Sequence, residues 1–252
     1  MSRLPRLAVV IDAGSGPAGP LSGAGTAALI ALVDGGLDGV GVLAGDPAGP
    51  PAREAARALG EFGMADRLIV VPGPLVLQTG ADGGGPFELA GVGSARLGAV
   101  GALPAGAGPG LTRLDAVVFV GTPPTAPSAT VPSAGDGAEP GRVGASRAWS
   151  GEYFFGGVFH QEVEGLYRVS AEPELAAAQG RWIGEYLRGR YLLPSRPAMV
   201  SAAGRLTGGP PADGAGQVRR RRYLRALARE VRRGHARAAS AGYPLPVPAH
   251  QN

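Results

Sequence analysis

The chain has 252 residues, a formal net charge of +4 and an apolar fraction of 44%, enough to build one large α/β domain or two small ones. It has no cysteine and only three histidines, which excludes disulfides and thiol chemistry and argues against a dense histidine metal site. No apolar run is long enough to span a bilayer, and the first six residues lead directly into a strand, so neither a membrane span nor a secretory signal is expected; the expected location is cytoplasmic.

Residues 7–11 (LAVVI) are a short apolar run that predicts a buried strand. Gly14-Ser15-Gly16-Pro17-Ala18-Gly19 follows it and fits G-x-G-x-x-G, and the Ala- and Leu-rich residues 26–33 predict a helix. Strand, glycine turn and helix in that order are the context in which this pattern binds a dinucleotide. The first glycine allows a tight turn, the second admits a pyrophosphate to the backbone, and the third lets helix and strand pack closely. The helix N-terminus adds unpaired N–H groups and the positive end of its dipole. Gly14, Ser15, Gly16, Pro17, Ala18 and Gly19 are therefore candidate cofactor-binding residues. A chance match is the competing explanation in a chain with 44 glycines. A second match, Gly23-Ala24-Gly25-Thr26-Ala27-Ala28, offers a shifted register for the turn, and Pro20 is compatible only with a first helical turn.

Gly35-Gly36-Leu37-Asp38 reads as a helix stop, and residues 40–43 (VGVL) as a second strand. In dinucleotide folds an acidic side chain near the end of this strand binds a ribose hydroxyl; Asp46 is the candidate and Asp38 a poorer one, with an ordinary acidic turn before Pro47 as the alternative. Residues 52–62 (AREAARALGEF) predict an amphipathic helix with Ala56, Leu59 and Phe62 on one side, ended by Gly63. Residues 68–71 (LIVV) predict a strand that 75–78 continue or follow, 81–85 a hairpin-like turn, and 86–89 a short apolar segment. Residues 91–110 have no clear period and read as loop or weak strand. Residues 114–120 (LDAVVFV) predict the clearest buried strand after the first.

Residues 125–148 are rich in Pro, Ser and Gly without periodicity and read as a flexible linker. Beyond them lie an aromatic stretch, 149–159, with Tyr153, Phe154, Phe155 and Phe159, and a strand, 166–169. Residues 174–190 predict a helix with Leu175, Ala178, Trp182, Ile183 and Leu187 on its apolar face, stopped by Pro194. Residues 204–216 read as a second loose loop, 219–239 as a strong helix and 244–248 as an extended tail.

Catalytic residues are not legible. His160, His235 and His250 are widely separated, no G-x-S-x-G elbow is present, and no H-E-x-x-H or carboxylate cluster suggests a metal. His160, beside the aromatic stretch, reads as structural. Glu162 and Glu164 at strand spacing read as an exposed edge. Every basic residue is arginine, and the run from Arg219 to Arg222 continues up to Arg237. Such a run can attract a polyanion. A solvated helix face is the preferred reading, because stacking aromatics are nearly absent from the run, and nucleic acid is not the expected partner.

Several segments together resemble the FAD-dependent, NADPH-using flavin-containing monooxygenases of class B. SRLPRLAVV…AGSGPAG at the start is similar to the family's FAD fingerprint, and ALGEFGMADRL (58–68) to the helix and turn before its next strand. RLDAVVFVG (113–121) resembles the strand leading to the flavin side. VFHQEVEGLYRV (158–169) and AQGRWIGEYLRGRYLLPSRPAM (178–199) resemble its C-terminal strand and helix. The resemblance implies a three-layer, Rossmann-like FAD-binding domain with a parallel sheet. That α/β domain is truncated and carries long Gly/Pro-rich loops. Its N-terminal half is 1–124, its linker 125–148 and its C-terminal half 149–252, the last bearing a basic helix. It further implies an FAD-binding oxidoreductase acting on a small molecule, with Gly14, Gly16 and Gly19 on the pyrophosphate and Asp46 on the adenosine ribose. The chain is shorter than the family expects and lacks its second glycine fingerprint and its F-x-G-x-x-x-H-x-x-x-[YF] pattern. Efficient use of NADPH is therefore not expected. A non-catalytic nucleotide-binding module and a basic polyanion-binding protein are the alternatives. The segment 172–188 also resembles the last helix of flavodoxin-like quinone reductases, which would imply FMN.

Overall fold

A computed structural model describes residues 6–12, 21–71, 75–78, 87–91, 111–121, 154–202 and 217–242. In chain order they form β1 (Arg6–Asp12), α1 (Leu21–Asp34), β2 (Asp38–Ala44), α2 (Pro50–Gly60), a 3-10 turn (Ala65–Arg67) and β3 (Leu68–Val71). Next come β4 (Leu75–Gln78), β5 (Phe87–Gly91), β6 (Leu111–Leu114), β7 (Ala116–Val120), β8 (Phe154–Phe155), β9 (Phe159–His160) and β10 (Leu166–Val169). Three helices complete the set: α3 (Pro173–Leu187), α4 (Arg196–Ala202) and α5 (Gln217–Ser240).

The main sheet has the order β3-β2-β1-β7-β10-β9-β8. Its first five strands are parallel. Numbered among themselves, they run 3-2-1-4-5. β9 and β8 are antiparallel additions at one edge, so the sheet is mixed rather than parallel throughout. The cause is local. Gly156 and Gly157 sit at φ of 62° and 75° and close β8 onto β9 as a hairpin, which needs no crossover.

Alternation along the strands assigns the two faces. Leu7 and Val9 of β1 and Ala116, Val118 and Val120 of β7 join residues of α1, α3 and α5 in one core. Ala8, Val10, Val117 and Phe119 point the other way, into a second core with Leu75, Leu77, Phe87, Leu89 and Leu114. Those last residues belong to a separate three-stranded antiparallel sheet, β4-β5-β6. The layers are thus helices, main sheet and small sheet. All five residues of β7 are buried, as a strand covered on both faces requires.

Several sequence expectations are corrected. The run 114–120 is not one strand. Leu114 ends β6 in the small sheet, and β7 begins at Ala116. Asp115 makes the break: its N–H donates to the Arg6 carbonyl at 2.8 Å, and its Oδ2 accepts the Arg6 N–H at 2.7 Å. The glycines of the second motif match, Gly23 and Gly25, lie inside α1, so no turn forms there. α2 buries Ala52, Ala55 and Leu59, whereas Phe62 lies past its end and is 58% exposed. Gly189, at φ 68°, follows the end of α3 five residues before Pro194. Residues 161–165 are a bend and turn, and Glu162 there pairs with Arg196 at 2.8 Å, so Glu162 and Glu164 are not strand neighbours on one edge. The expected linker 125–148, the loop 204–216, the turn 81–85 and the tail 244–248 lie outside the described residues.

Candidate functional site

In an open parallel sheet, ligands bind outside the carboxyl ends of the strands, where the strand order reverses. Here the reversal falls between β1 and β7: the chain proceeds from β1 outward to β2 and β3, then returns to β7 and proceeds the other way to β10. Residues 13–20 connect the carboxyl end of β1 to α1, which begins one residue past Pro20. Gly14, Ser15, Gly16, Pro17, Ala18 and Gly19 thus fall, in sequence, at the reversal. They lie outside the described residues.

Two helices begin at this edge. α1 follows β1, and α3 follows β10 after only Ser170, Ala171 and Glu172. Their first turns are neighbours, since a Cβ built on Gly23 would stand 3.7 Å from Pro173 Cγ. Further along, a Cβ on Gly180 would stand 2.9 Å from the Ala28 carbonyl oxygen, so the bare backbone of α3 rests on α1. Two positive helix ends are therefore held side by side. β7 and β10 stay paired up to the edge, with the Gly121 N–H (φ 71°) donating to the Val169 carbonyl at 2.8 Å.

Asp46 lies two residues past β2, at the same edge, and is exposed. Its Oδ1 accepts the Ala48 N–H at 2.9 Å, and its carbonyl accepts the Gly49 N–H at 2.9 Å. It thereby shapes the turn that starts α2. Asp38 opens β2 instead and pairs with Arg67 at 3.1 Å, at the opposite end of the strand. Glu172 caps α3 from an extended backbone. Its Oε2 lies 2.7 Å from Arg220 Nε, close but not aligned as a hydrogen bond, and Arg220 also reaches Glu174 at 3.6 Å.

Behind the edge runs a buried polar chain that no sequence pattern announced. The Ser170 N–H donates to Gln179 Oε1 at 2.6 Å, Gln179 Nε2 donates to the Tyr223 hydroxyl at 2.7 Å, and that hydroxyl donates to the Gly156 carbonyl at 3.0 Å. It ties the end of β10 to α3, α5 and the β8–β9 turn. Burial pushes the Tyr223 phenol up to about 12 against the opposing pull of the Gln179 hydrogen bond and the Arg168 charge. The available signal was Gln179 itself, a lone amide on the apolar face of α3.

His160 is buried, and its Nδ1 accepts the Glu162 and Val163 N–H groups at 3.1 and 2.9 Å. It closes the turn after β9, with the Phe154 ring edge-on at 5.0 Å. Among the described residues no group of His, Asp or Glu is arranged to hold a metal ion, and no helix is long and apolar enough to cross a membrane. Comparison with protein-family models, with curated proteins and with solved structures returns no match.

Proposed function

We propose that this chain is an FAD-binding protein of oxidoreductase type, similar to the flavin-dependent monooxygenases. The observation that carries the reading is the reversal of strand order between β1 and β7, with a G-x-G-x-x-G sequence connecting β1 to α1 at that point. The donor set suits a pyrophosphate: two helix N-termini lie side by side, and the first of them is preceded in sequence by the glycine-rich residues 14–19. Of the acids at this edge, Glu172 is already neutralised by Arg220.

In this reading the backbone N–H groups of Gly14, Ser15, Gly16, Ala18 and Gly19 bind the pyrophosphate, with Pro17 shaping the turn. Asp46 accepts the adenosine ribose hydroxyl through Oδ2, which has no partner among the described residues, while Oδ1 remains on Ala48. Bound FAD supplies two-electron redox chemistry at its isoalloxazine ring. No second glycine fingerprint is present for NADPH, so the reductant is the open part of the reaction. A second reading, a nucleotide-binding module without turnover, is favoured by the commitment of His160 to its own turn.

An absorbance spectrum after adding FAD and desalting tests the proposal. Flavin bands that survive desalting, and that Gly16→Val abolishes, are the expected result. A protein that retains no FAD overturns it. Retained FAD with no oxidation of NADPH or NADH selects the module.

A further inference from the structure

α5 is amphipathic in an unusual sense. Tyr223, Leu227, Glu230, Gly234 and Ala238 are buried, while Arg221, Arg222, Arg225, Arg229 and Arg232 are exposed. At ~100° per residue these five arginines fall in a sector about 100° wide, diametrically opposite the buried face. Along the axis, the stretch from Arg221 to Arg232 spans roughly 16 Å.

None of the five side chains takes part in an ion pair or hydrogen bond among the described residues. The salt bridges of α5 belong to Arg220, His235 and Arg237. Arg221 and Arg225, and Arg225 and Arg229, are like charges one turn apart, which destabilises a helix. The first turn holds no acid and carries Arg219 and Arg220, at the end where cations are unfavourable. The helix thus maintains two electrostatic penalties that a bound polyanion would relieve.

We propose that the outer face of α5 binds the phosphate backbone of double-stranded nucleic acid without reading its sequence. Arginine forks match phosphate oxygens in pairs, and a linear array of arginines meets a linear array of phosphates. A single strand is a poorer fit, because the one aromatic residue within the arginine run, Tyr223, is buried and unavailable for stacking. A lipid surface is a poorer fit, because the apolar face that would enter it is already packed into the core. The inference does not rest on the flavin reading.

The test is fluorescence anisotropy of a labelled random-sequence DNA duplex titrated with the full chain at increasing salt. With four to five phosphates engaged, log K should fall with log salt at a slope of about −4. Replacing Arg221, Arg225, Arg229 and Arg232 together by Gln should lower affinity at least about 100-fold at low salt, with the melting temperature maintained. Should that variant melt early, Arg225→Gln and Arg229→Gln taken singly should each reduce the slope by about one. Absence of duplex binding at low salt overturns the proposal. So does binding that the variants leave unchanged, or tighter binding to single strands or to anionic phospholipid vesicles than to the duplex.

Discussion

Gly180 of α3 lies so close to Ala28 of α1 that an added Cβ would be 2.9 Å from the Ala28 carbonyl oxygen and 3.2 Å from its Cα. Both obstacles are backbone, so neither can rotate aside. The two helices meet at this distance because position 180 has no side chain.

Gly180→Ala therefore forces α1 and α3 apart. A loss of about 1–3 kcal/mol is expected from overpacking, despite the gain in helix propensity. Urea denaturation followed by circular dichroism checks it. An unchanged midpoint would show that the helices slide without penalty.

Gln179→Leu removes the acceptor of the Ser170 N–H and a donor to the Tyr223 hydroxyl. A buried N–H left unpaired costs about 1–3 kcal/mol. Tyr223→Phe acts on the same chain, so the double variant should lose less than the sum of the two single losses. Strict additivity in chemical denaturation would mean that the groups do not act together.

Alkaline pH should unfold the protein for a specific reason. Burial raises the Tyr223 phenol from 10.0 to about 12, and burial pushes Tyr167 and Tyr191 up as well. A group whose folded pKa is raised contributes stability that is complete below its unfolded pKa and is lost as pH rises through the folded value. Stability should thus hold below about pH 10 and decline from there towards pH 12. For Tyr223→Phe the decline should be shallower. Thermal melts across that window provide the measurement.

Gly234→Ala on α5 should be among the most damaging single-methyl changes. Its Cβ would fall 1.9 Å from two carbons of the Tyr191 ring. Tyr191 is buried and its hydroxyl donates to Glu230 at 3.1 Å, with Arg237 on the same carboxylate at 2.6 Å. The ring has to leave its place against Trp182, 5.7 Å away centre to centre. A loss of about 3 kcal/mol is expected, together with a change in tryptophan fluorescence. Native emission and an unchanged melting temperature would contradict it.

The sequence was most legible where one signal sufficed. Apolar runs announced β1, β2, β3 and β10, and helical periodicity announced α2, α3 and α5. It was least legible where a distant partner decides. Nothing local in 114–120 reveals that Asp115 turns back to Arg6, splitting the run between two sheets. β8 and β9 have two residues each, too few for any period. That the third layer is a separate sheet was hidden too: 75–78 read as a strand continuing or following 68–71 and 86–89 only as a short apolar segment, while Leu114, which ends β6, read as the start of the 114–120 strand. Around the candidate site, the strand before the glycine motif and the helix after it were readable from their apolar runs. The chain through Ser170, Gln179 and Tyr223 was not, since the Gln179–Tyr223 hydrogen bond spans 44 positions.

The pairing of β1 with β7 also dictates an order of events during synthesis. Arg6 and Asp115 are 109 positions apart, yet β1 is an interior strand. While the residues between β2 and β7 leave the ribosome, β1 can pair with β2 but presents its other flank, with open N–H and C=O groups, to whatever is near. Closing that flank requires a loop of great length, which slows folding. The nascent chain therefore passes through a period in which an apolar interior strand is a bare template for aggregation, and co-translational chaperones have most to do before β7 emerges.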